Sequence, residues 1–215
     1  MKVLDRDSPS KCATTDSILN LTFMTSSPTL PDPTPTVDRM IVLVGLMGAG
    51  KSCIGRRVAQ RLSIPFVDAD AEVETAAGCS VADIFAQYGE EAFRDGERRV
   101  IARLLDGPPA VLATGGGAFM DEETRKLILD GSISVWLRAD LDTLLERTAG
   151  RSHRPLLNHG DPKETLSKLI DQRYPIYAEA NVVVDTGSDS ATVTCNRVIE
   201  ALTNPHNLPA ATAAS

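Results

Sequence analysis

The middle of this chain predicts an α/β fold with a parallel sheet, because short apolar segments alternate there with segments of helical periodicity. Five segments have the length and composition of buried strands: Met40–Val44, Pro65–Asp68, Ala110–Ala113, Ile133–Leu137 and Val182–Val184. Each is followed by at least one helical segment, so consecutive strands are joined by crossover helices and run parallel. We therefore expect three layers, α/β/α, around a central five-stranded parallel sheet, with the chemistry at its carboxyl edge.

Capping residues mark the helical segments as clearly as their periodicity does. Ser80, Asp121 and Asp140 each precede an apolar pattern and carry the side chains preferred at N-caps. Gly96 weakens one helix, and Pro175 is expected to tighten or kink another near its end. The predicted helices are Lys51–Leu62, a short helix after Ser80, Glu90–Leu105, 122–129, 141–147, Pro162–Ala178 and Ala191–Leu202.

Both ends of the chain lack these patterns. Residues 1–38 are rich in Ser, Thr, Asp and Pro and bury too little apolar surface to offset their ordering entropy, so we expect a disordered N-terminal tail. Residues 204–215 are rich in Ala and Pro, and we expect a frayed end. The folded domain is thus expected at 39–203, with a mobile lid at about 149–161, where no periodicity is visible.

Charge and composition exclude several classes of protein. The net charge of −7 argues against a nucleic-acid partner, because phosphate backbones favour a basic surface. Apolar runs stay well below the roughly 20 residues that span a bilayer, and the N-terminus has no secretory-signal pattern. The 4 cysteines and 3 histidines show no metal-ligand or disulfide spacing. We expect a cytoplasmic monomer without nucleic-acid or membrane partners.

Residues 45–52, GLMGAGKS, match G-x-x-x-x-G-K-[ST] in full and directly follow the first predicted strand. Glycines let backbone N–H groups converge on phosphate oxygens, and the helix that follows adds its positive N-terminus. We expect Lys51 to bridge the β- and γ-phosphates and Ser52 to coordinate Mg²⁺. An ordinary glycine-rich turn is the alternative, but strand and helix fall where the motif requires them. This P-loop predicts nucleoside triphosphate binding by Gly48, Ala49, Gly50, Lys51, Ser52 and Cys53.

Two carboxylates, Asp68 and Asp70, close the second predicted strand. If the chain stays extended there, both side chains project from the same side at the carboxyl edge of the sheet. Beside a phosphate site, one can hold Mg²⁺ and the other can accept or orient the proton of a substrate hydroxyl. A helix-capping aspartate next to a solvated one is the alternative.

Three consecutive glycines, Gly115, Gly116 and Gly117, follow the third predicted strand. They allow a ligand to approach the backbone closely and offer N–H donors free of side chains. A tight strand-to-helix turn without a ligand is the alternative. Their position opposite the P-loop across parallel strands favours substrate binding.

Arginines complete the set of candidate residues. Arg94 and Arg173 lie on predicted helices, where a single arginine is usually solvated, although a guanidinium is the preferred clamp for a carboxylate. Glu97, three residues after Arg94, is placed to pair with it on one helix face. The irregular basic segment that contains Arg154 suits a lid that excludes water and places an arginine on the transferring phosphate, the alternative being a surface loop with no catalytic duty.

Taken in order, these motifs resemble the shikimate kinase family. The matching segments are 45–52, Phe66–Asp70, Ser80–Phe85, Phe93–Arg94 with Glu97, Thr114–Gly117, Arg154–Leu157, and Arg173 with Tyr177. The resemblance spans about 40–185 and implies the nucleoside-monophosphate-kinase-like P-loop kinase fold. It implies ATP-dependent phosphorylation of the shikimate 3-hydroxyl, with Mg²⁺, on the route to chorismate and the aromatic amino acids.

The resemblance also implies a role for each matching residue. Asp70 would orient or deprotonate the shikimate hydroxyl, and Asp68 would support Mg²⁺. Arg154 would be the lid arginine on the phosphates, and Arg147 would lie against adenine. The substrate carboxylate and ring hydroxyls would be held by Arg94, Arg173 and the backbone of Gly115, Gly116 and Gly117.

Two other readings remain open at the level of sequence. Gluconate kinase, or another small-metabolite kinase on this fold, also suits paired arginines, although the Asp-x-Asp with three glycines favours shikimate. A nucleotide-binding protein without catalysis would lack a catalytic group, whereas Lys51, Ser52, Asp70 and Arg154 are all present.

Overall fold

The computed structural model describes residues 37–149 and 161–204. The strands are β1 Met40–Val44, β2 Phe66–Asp68, β3 Val111–Ala113, β4 Ser132–Arg138 and β5 Val182–Asp185. The helices are α1 Lys51–Leu62, α2 Ala69–Ala77, α3 Val81–Leu105, α4 Glu122–Gly131, α5 Leu141–Thr148, α6 Pro162–Tyr177 and α7 Ala191–Thr203, with a 3₁₀ turn at Ala118–Met120. The order of elements follows the predicted alternation. None of the helices in these two ranges has the length and apolar character needed to cross a membrane.

The five strands form one parallel sheet in the order β2-β3-β1-β4-β5. Its register aligns Asp68 with Ala113, and Ala113 with Leu43, so three neighbouring strands end at the same level. The β1 strand is central and completely buried. This topology brings together the loops that follow β1, β2 and β3, which carry the P-loop, the two aspartates and the glycine turn.

Helix α3 joins two helices that the sequence predicts separately. The capping box forms at Ser80, whose hydroxyl accepts from the backbone N–H of Asp83 while the Asp83 carboxylate accepts from the backbone N–H of Ser80. Gly89 then adopts φ 80° and ψ 178°, so the axis kinks between the two halves. Gly96 and Pro175 both lie inside continuous helices. The kink, rather than a loop, separates the two predicted segments.

The sequence prediction was wrong about the backbone after β2. The chain does not stay extended through Asp70, because helix α2 begins at Ala69 with Asp68 as its N-cap. A carboxylate of Asp68 accepts from the backbone N–H of Asp70 at 3.2 Å, the usual contact of such a cap. The two side chains therefore share the sheet edge through a helix start and not through strand alternation.

Candidate active site

The P-loop between β1 and α1 is shaped by three glycines with positive φ. Gly45, Gly48 and Gly50 have φ values of 137°, 85° and 98°, a region that residues with a Cβ rarely adopt. At Gly45 a Cβ would also lie 2.7 Å from the carbonyl oxygen of Leu137. The loop therefore folds back closely on β4 before its last glycine begins helix α1, which leaves the helix N-terminus open to an anion.

Lys51 curls over the loop that precedes it. Its ammonium group donates to the carbonyl of Gly45 at 2.7 Å and to that of Leu46 at 3.1 Å. These contacts hold the positive charge at the mouth of the P-loop, among the residues that line the cavity. A cation fixed there is placed to meet the phosphates of a nucleotide.

Ser52 and Asp68 meet beside the P-loop. The Ser52 hydroxyl donates to Oδ2 of Asp68 at 3.0 Å, while Oδ1 of the same carboxylate caps helix α2. A hydroxyl and a carboxylate oxygen at this distance form the kind of hard-oxygen donor set that Mg²⁺ prefers. The carboxylate at the end of β2 therefore lies directly beside the P-loop serine.

Asp70 lies between the P-loop and the glycine turn. Burial raises the pKa of its carboxyl group, and the Asp68 carboxylate adds to the rise, whereas Lys51 and Arg94 oppose it. A Cβ at Gly115 would lie 2.9 Å from Oδ1 of Asp70, so a residue larger than glycine would displace this carboxylate. A carboxylate with a raised pKa, next to a phosphate site, is suited to accept a proton.

Arg94 is held by two glutamates of its own helix. Its Nη1 donates to the Glu97 carboxylate at 2.6 Å, as the sequence spacing predicted, and its Nη2 lies 3.3 Å from Glu90. Only 2% of Glu97 is exposed, and its Oε1 has no hydrogen-bond partner within the described part of the chain. Burial raises the pKa of Glu97, although the Arg94 guanidinium lowers it. The sequence did not indicate how deeply this carboxylate is buried.

The glycine turn is contacted by both helices that carry the predicted clamp. The Gly116 carbonyl accepts from Nη1 of Arg173 at 2.9 Å and from the hydroxyl of Tyr177. Gly117 faces the Arg94 guanidinium so closely that a Cβ there would lie 2.7 Å from its Cζ. The fold therefore brings Arg94, from α3, and Arg173, from α6, to one turn, as the resemblance implied.

A cavity of about 710 Å³ extends from the P-loop to Asp70 and the glycine turn. Its lining includes Met47, Gly48, Gly50, Lys51, Ser52, Cys53, Ile54, Asp68, Asp70, Thr114, Gly115, Gly116, Arg147, Thr186, Ala191 and Thr194. Arg147 donates to Thr186 at 2.9 Å and to the Gly187 carbonyl, and it reaches the carbonyls of Gly48 and Ala49 at 3.5 Å. Sequence reasoning missed Thr186, Ala191 and Thr194, which belong to no motif and enter the cavity through the position of β5 and α7.

The remaining predicted site residue, Arg154, and most of the proposed lid lie outside the described residues, as do nearly all of both tails. Within residues 37–149 and 161–204, no group of three or more His, Cys, Asp or Glu side chains is arranged to hold a metal ion by itself. A metal at Ser52 and Asp68 would therefore depend on phosphate and water oxygens as further ligands.

Comparison with known proteins places this geometry in a family. A family model described as shikimate kinase matches residues 47–203. A shikimate kinase of Paramagnetospirillum magneticum is 61% identical over 166 residues, which are 77% of this chain and 85% of that protein. One from Caulobacter vibrioides is 55% identical over 175 residues, which are 81% of this chain and 88% of that protein.

Solved structures agree with these sequence relatives. Shikimate kinase from Acinetobacter baumannii, in complex with shikimate, has a TM-score of 0.74 and 34% identity, covering 78% of this chain and 94% of that one. The gluconate kinase alternative has less support, because the family model and these relatives all carry the name shikimate kinase. The chain therefore belongs to the shikimate kinase family, and its activity is the ATP-dependent phosphorylation of shikimate.

Proposed function

We propose that the P-loop holds the ATP phosphates while shikimate lies against Asp70, the glycine turn and the two arginines of α3 and α6. The observation that carries this proposal is the continuous cavity, which has Lys51 and Ser52 among its lining residues together with Asp70 and Gly115. A hydroxyl beside Asp70 would then lie in the same cavity as the phosphates.

In the proposed reaction the 3-hydroxyl oxygen of shikimate attacks the γ-phosphorus, and the bond from that phosphorus to the β–γ bridging oxygen breaks. Asp70 takes the hydroxyl proton, a role that its raised pKa favours because a stronger base is a better proton acceptor. Lys51 neutralises charge that develops on the β- and γ-phosphate oxygens. The products are shikimate 3-phosphate and ADP.

The proposed carboxylate clamp consists of Arg94 and Arg173. A guanidinium has five N–H donors, so the contacts to Glu97 and to the Gly116 carbonyl leave further donors for a substrate carboxylate. Those same contacts fix the orientation of each guanidinium before substrate arrives, which lowers the entropic cost of binding. The backbone of Gly115, Gly116 and Gly117 would bind the ring hydroxyls.

The donor chemistry of Ser52 and Asp68 fits Mg²⁺, since both present oxygen atoms next to the P-loop. The ion would supply positive charge to the β- and γ-phosphates when bound. Titrating Mg²⁺ against Ser52→Ala and Asp68→Asn should show a weaker apparent metal affinity in both variants at saturating ATP and shikimate. An unchanged metal dependence in both would remove these residues from the metal site.

Two arginines are proposed to act on the nucleotide. Arg147, on α5, contacts the P-loop carbonyls of Gly48 and Ala49 and lines the cavity. Its planar guanidinium is suited to lie against the adenine ring. Arg154 carries the family's lid position in the sequence, and we propose that it contacts the transferring phosphate.

The test of the proposed specificity is a coupled ADP-release assay with shikimate, gluconate, AMP or no acceptor. Of these acceptors, only shikimate should support ADP release from ATP. Phosphorus NMR of the product should place the phosphate on the 3-oxygen. Faster turnover with gluconate would contradict the proposal. The monomeric state, the cytoplasmic location and the domain bounds at 39–203 stay predictions. Gel filtration tests the monomeric state, and limited proteolysis tests the domain bounds.

A further inference from the structure

Tyr177 is a buried side chain that the proposed mechanism leaves unused. It is 0% exposed, and its hydroxyl donates to the carbonyl oxygen of Gly116, the same atom that receives Arg173. We propose that Tyr177 is a positioning residue that fixes the peptide unit between Gly116 and Gly117 for shikimate binding. This inference rests on the proposed function, because it assumes that the glycine turn and Arg173 bind shikimate.

The peptide unit between Gly116 and Gly117 is a rigid plane that joins two conformationally free residues. The carbonyl of Gly116 and the N–H of Gly117 belong to one planar group, so fixing the oxygen fixes the direction of the N–H. The glycines on either side have little steric hindrance to rotation of that plane. Two donors on one oxygen therefore set an orientation that the turn itself does not impose.

This peptide unit contacts both arginines of the proposed clamp. Arg173 donates to its oxygen at 2.9 Å, and Gly117 packs directly on the Arg94 guanidinium. If the peptide turned, Arg173 would lose an anchor and Gly117 would move against Arg94. The Tyr177 hydroxyl thus acts on Gly117, Arg94 and Arg173 through the Gly116 carbonyl, and it also contacts the Arg173 guanidinium directly.

The Tyr177 ring is held in place by three other aromatic rings. Its centroid lies 6.3 Å from that of Phe119, 5.9 Å from that of Trp136 and 6.3 Å from that of Tyr174. Such contacts retain their packing when only the hydroxyl is removed. Burial raises the pKa of Tyr177 to about 12, so the hydroxyl keeps its proton and remains a donor at neutral pH.

The experiment is Tyr177→Phe, which removes the donor and keeps the ring. We expect the KM for shikimate to rise about three- to tenfold, the scale of one net hydrogen bond, while the KM for MgATP stays within about twofold. Because the hydroxyl stays protonated, the ratio of mutant to wild-type KM should be constant between about pH 7 and pH 9. An unchanged KM for shikimate, or an equal rise for both ligands, would overturn the proposal.

Tyr174→Phe is the matched control, because Tyr174 lies on the same helix and its hydroxyl also donates to a backbone carbonyl, that of Ala139. Its ring packs on the same Trp136 at 4.9 Å. We expect similar small losses of thermal stability in both variants, but an unchanged KM for shikimate in Tyr174→Phe. Equal KM increases in the two variants would mean a merely structural role for Tyr177.

Arg173→Ala distinguishes the positioning role of Tyr177 from the proposed carboxylate clamp. If Arg173→Ala raises the KM for shikimate and Tyr177→Phe does not, the positioning role fails and the proposed clamp stands. If Arg173→Ala also leaves that KM unchanged, the proposed binding side itself is wrong. If both raise it, with the smaller effect in Tyr177→Phe, both inferences are supported.

Discussion

The nucleotide side and the substrate side of this cavity are built in opposite ways. The nucleotide side is one contiguous loop, whose shape depends on the positive φ values of Gly45, Gly48 and Gly50. The substrate side is assembled from α2, α3, α6 and the turn after β3, and it depends on side-chain contacts to Glu97 and to the Gly116 carbonyl. A local motif can therefore specify one half of the site, whereas the other half requires the whole sheet topology.

The electrostatics of the two sides differ as well. On the nucleotide side the cation Lys51 is held by neutral backbone carbonyls. On the substrate side, burial raises the pKa of both Asp70 and Glu97, and the Asp70 carboxylate adds to the rise at Glu97. The Arg94 guanidinium opposes the rise at both carboxylates. The effect of pH on activity and stability should therefore arise mainly on the substrate side. Because the two sides use different residues, mutations should affect the binding of ATP and of shikimate separately.

The largest expected effect belongs to the nucleotide side. Lys51→Ala should lower kcat by about a thousandfold or more, because it removes the cation that neutralises charge on the transferring phosphoryl group. Steady-state kinetics with shikimate and MgATP measures it, with thermal unfolding as the check on folding. Lys126→Ala, an exposed lysine on α4, is the control and should be indistinguishable from wild type. Turnover near the wild-type rate in Lys51→Ala would exclude the assigned role of the P-loop lysine.

Asp70→Asn should produce the next largest effect. We expect kcat to fall about a hundredfold or more while shikimate affinity stays within about tenfold, since the amide keeps the shape and loses the base. In the wild type the rate should fall as the pH drops, because protonated Asp70 cannot accept a proton, and the raised pKa shifts this fall to a higher pH than an ordinary aspartate would show.

Pre-steady-state kinetics and shikimate titration of Asp70→Asn separate the two roles of this carboxylate. Asp171→Asn, an exposed aspartate on α6, controls for the loss of one negative charge. If Asp70→Asn loses shikimate binding but retains its rate at saturation, Asp70 positions the substrate and is not the base.

Variants of the proposed carboxylate clamp test whether the substrate side can be weakened without affecting the nucleotide side. Arg94→Ala or Arg173→Ala should raise the KM for shikimate roughly ten- to a hundredfold, because each removes a charge-assisted hydrogen bond to the substrate carboxylate. The KM for MgATP should stay nearly unchanged in both. Separate titrations of the two ligands measure this, and equal losses for both would indicate global damage instead of a clamp.

Most of the fold was predictable because its strands are short apolar segments and its helices begin with strong N-caps. Ser80, Asp121 and Asp140 each accept a backbone N–H at the start of a helix, as predicted. Helix α2, Ala69–Ala77, was not predicted, because its small and acidic residues give little helical periodicity and Val73 is its one large buried side chain. Its start is fixed by the Asp68 N-cap. This is a local signal, but in the sequence a helix-capping aspartate was considered only as the alternative to a continued strand.

More of the nucleotide side than of the substrate side could be predicted from the sequence. The P-loop residues follow from spacing alone. The hydrogen bond between Ser52 and Asp68 is a tertiary contact that the structure adds, and their shared metal role stays a prediction. The convergence of Arg94 and Arg173 on the glycine turn came from the resemblance, since helical spacing does not reveal which helices meet. Tyr177 was recognised as part of a matching segment but not as a donor to Gly116, because that contact depends on the packing of α6.

The smallest predicted effect concerns the buried carboxylate of Glu97 and is read from stability. Burial raises the folded-state pKa of Glu97 above the ordinary value of 4.5, so the unfolded chain ionises first as the pH rises. The free energy of unfolding of the wild type should therefore fall relative to Glu97→Gln as the pH rises above 4.5, and the difference should level off once the folded-state carboxyl has ionised.

Urea unfolding of wild type and Glu97→Gln across this pH range measures that difference. We expect a pH-dependent change that favours the glutamine variant as the pH rises, whatever constant offset the altered contact with Arg94 adds. Glu91→Gln, an exposed glutamate on the same helix, controls for the loss of one acidic charge. A difference that is flat with pH, or that grows in favour of the wild type, would mean that Arg94 fully compensates the burial of Glu97. The pH sensitivity that sets the substrate side apart from the P-loop would then rest on Asp70 alone.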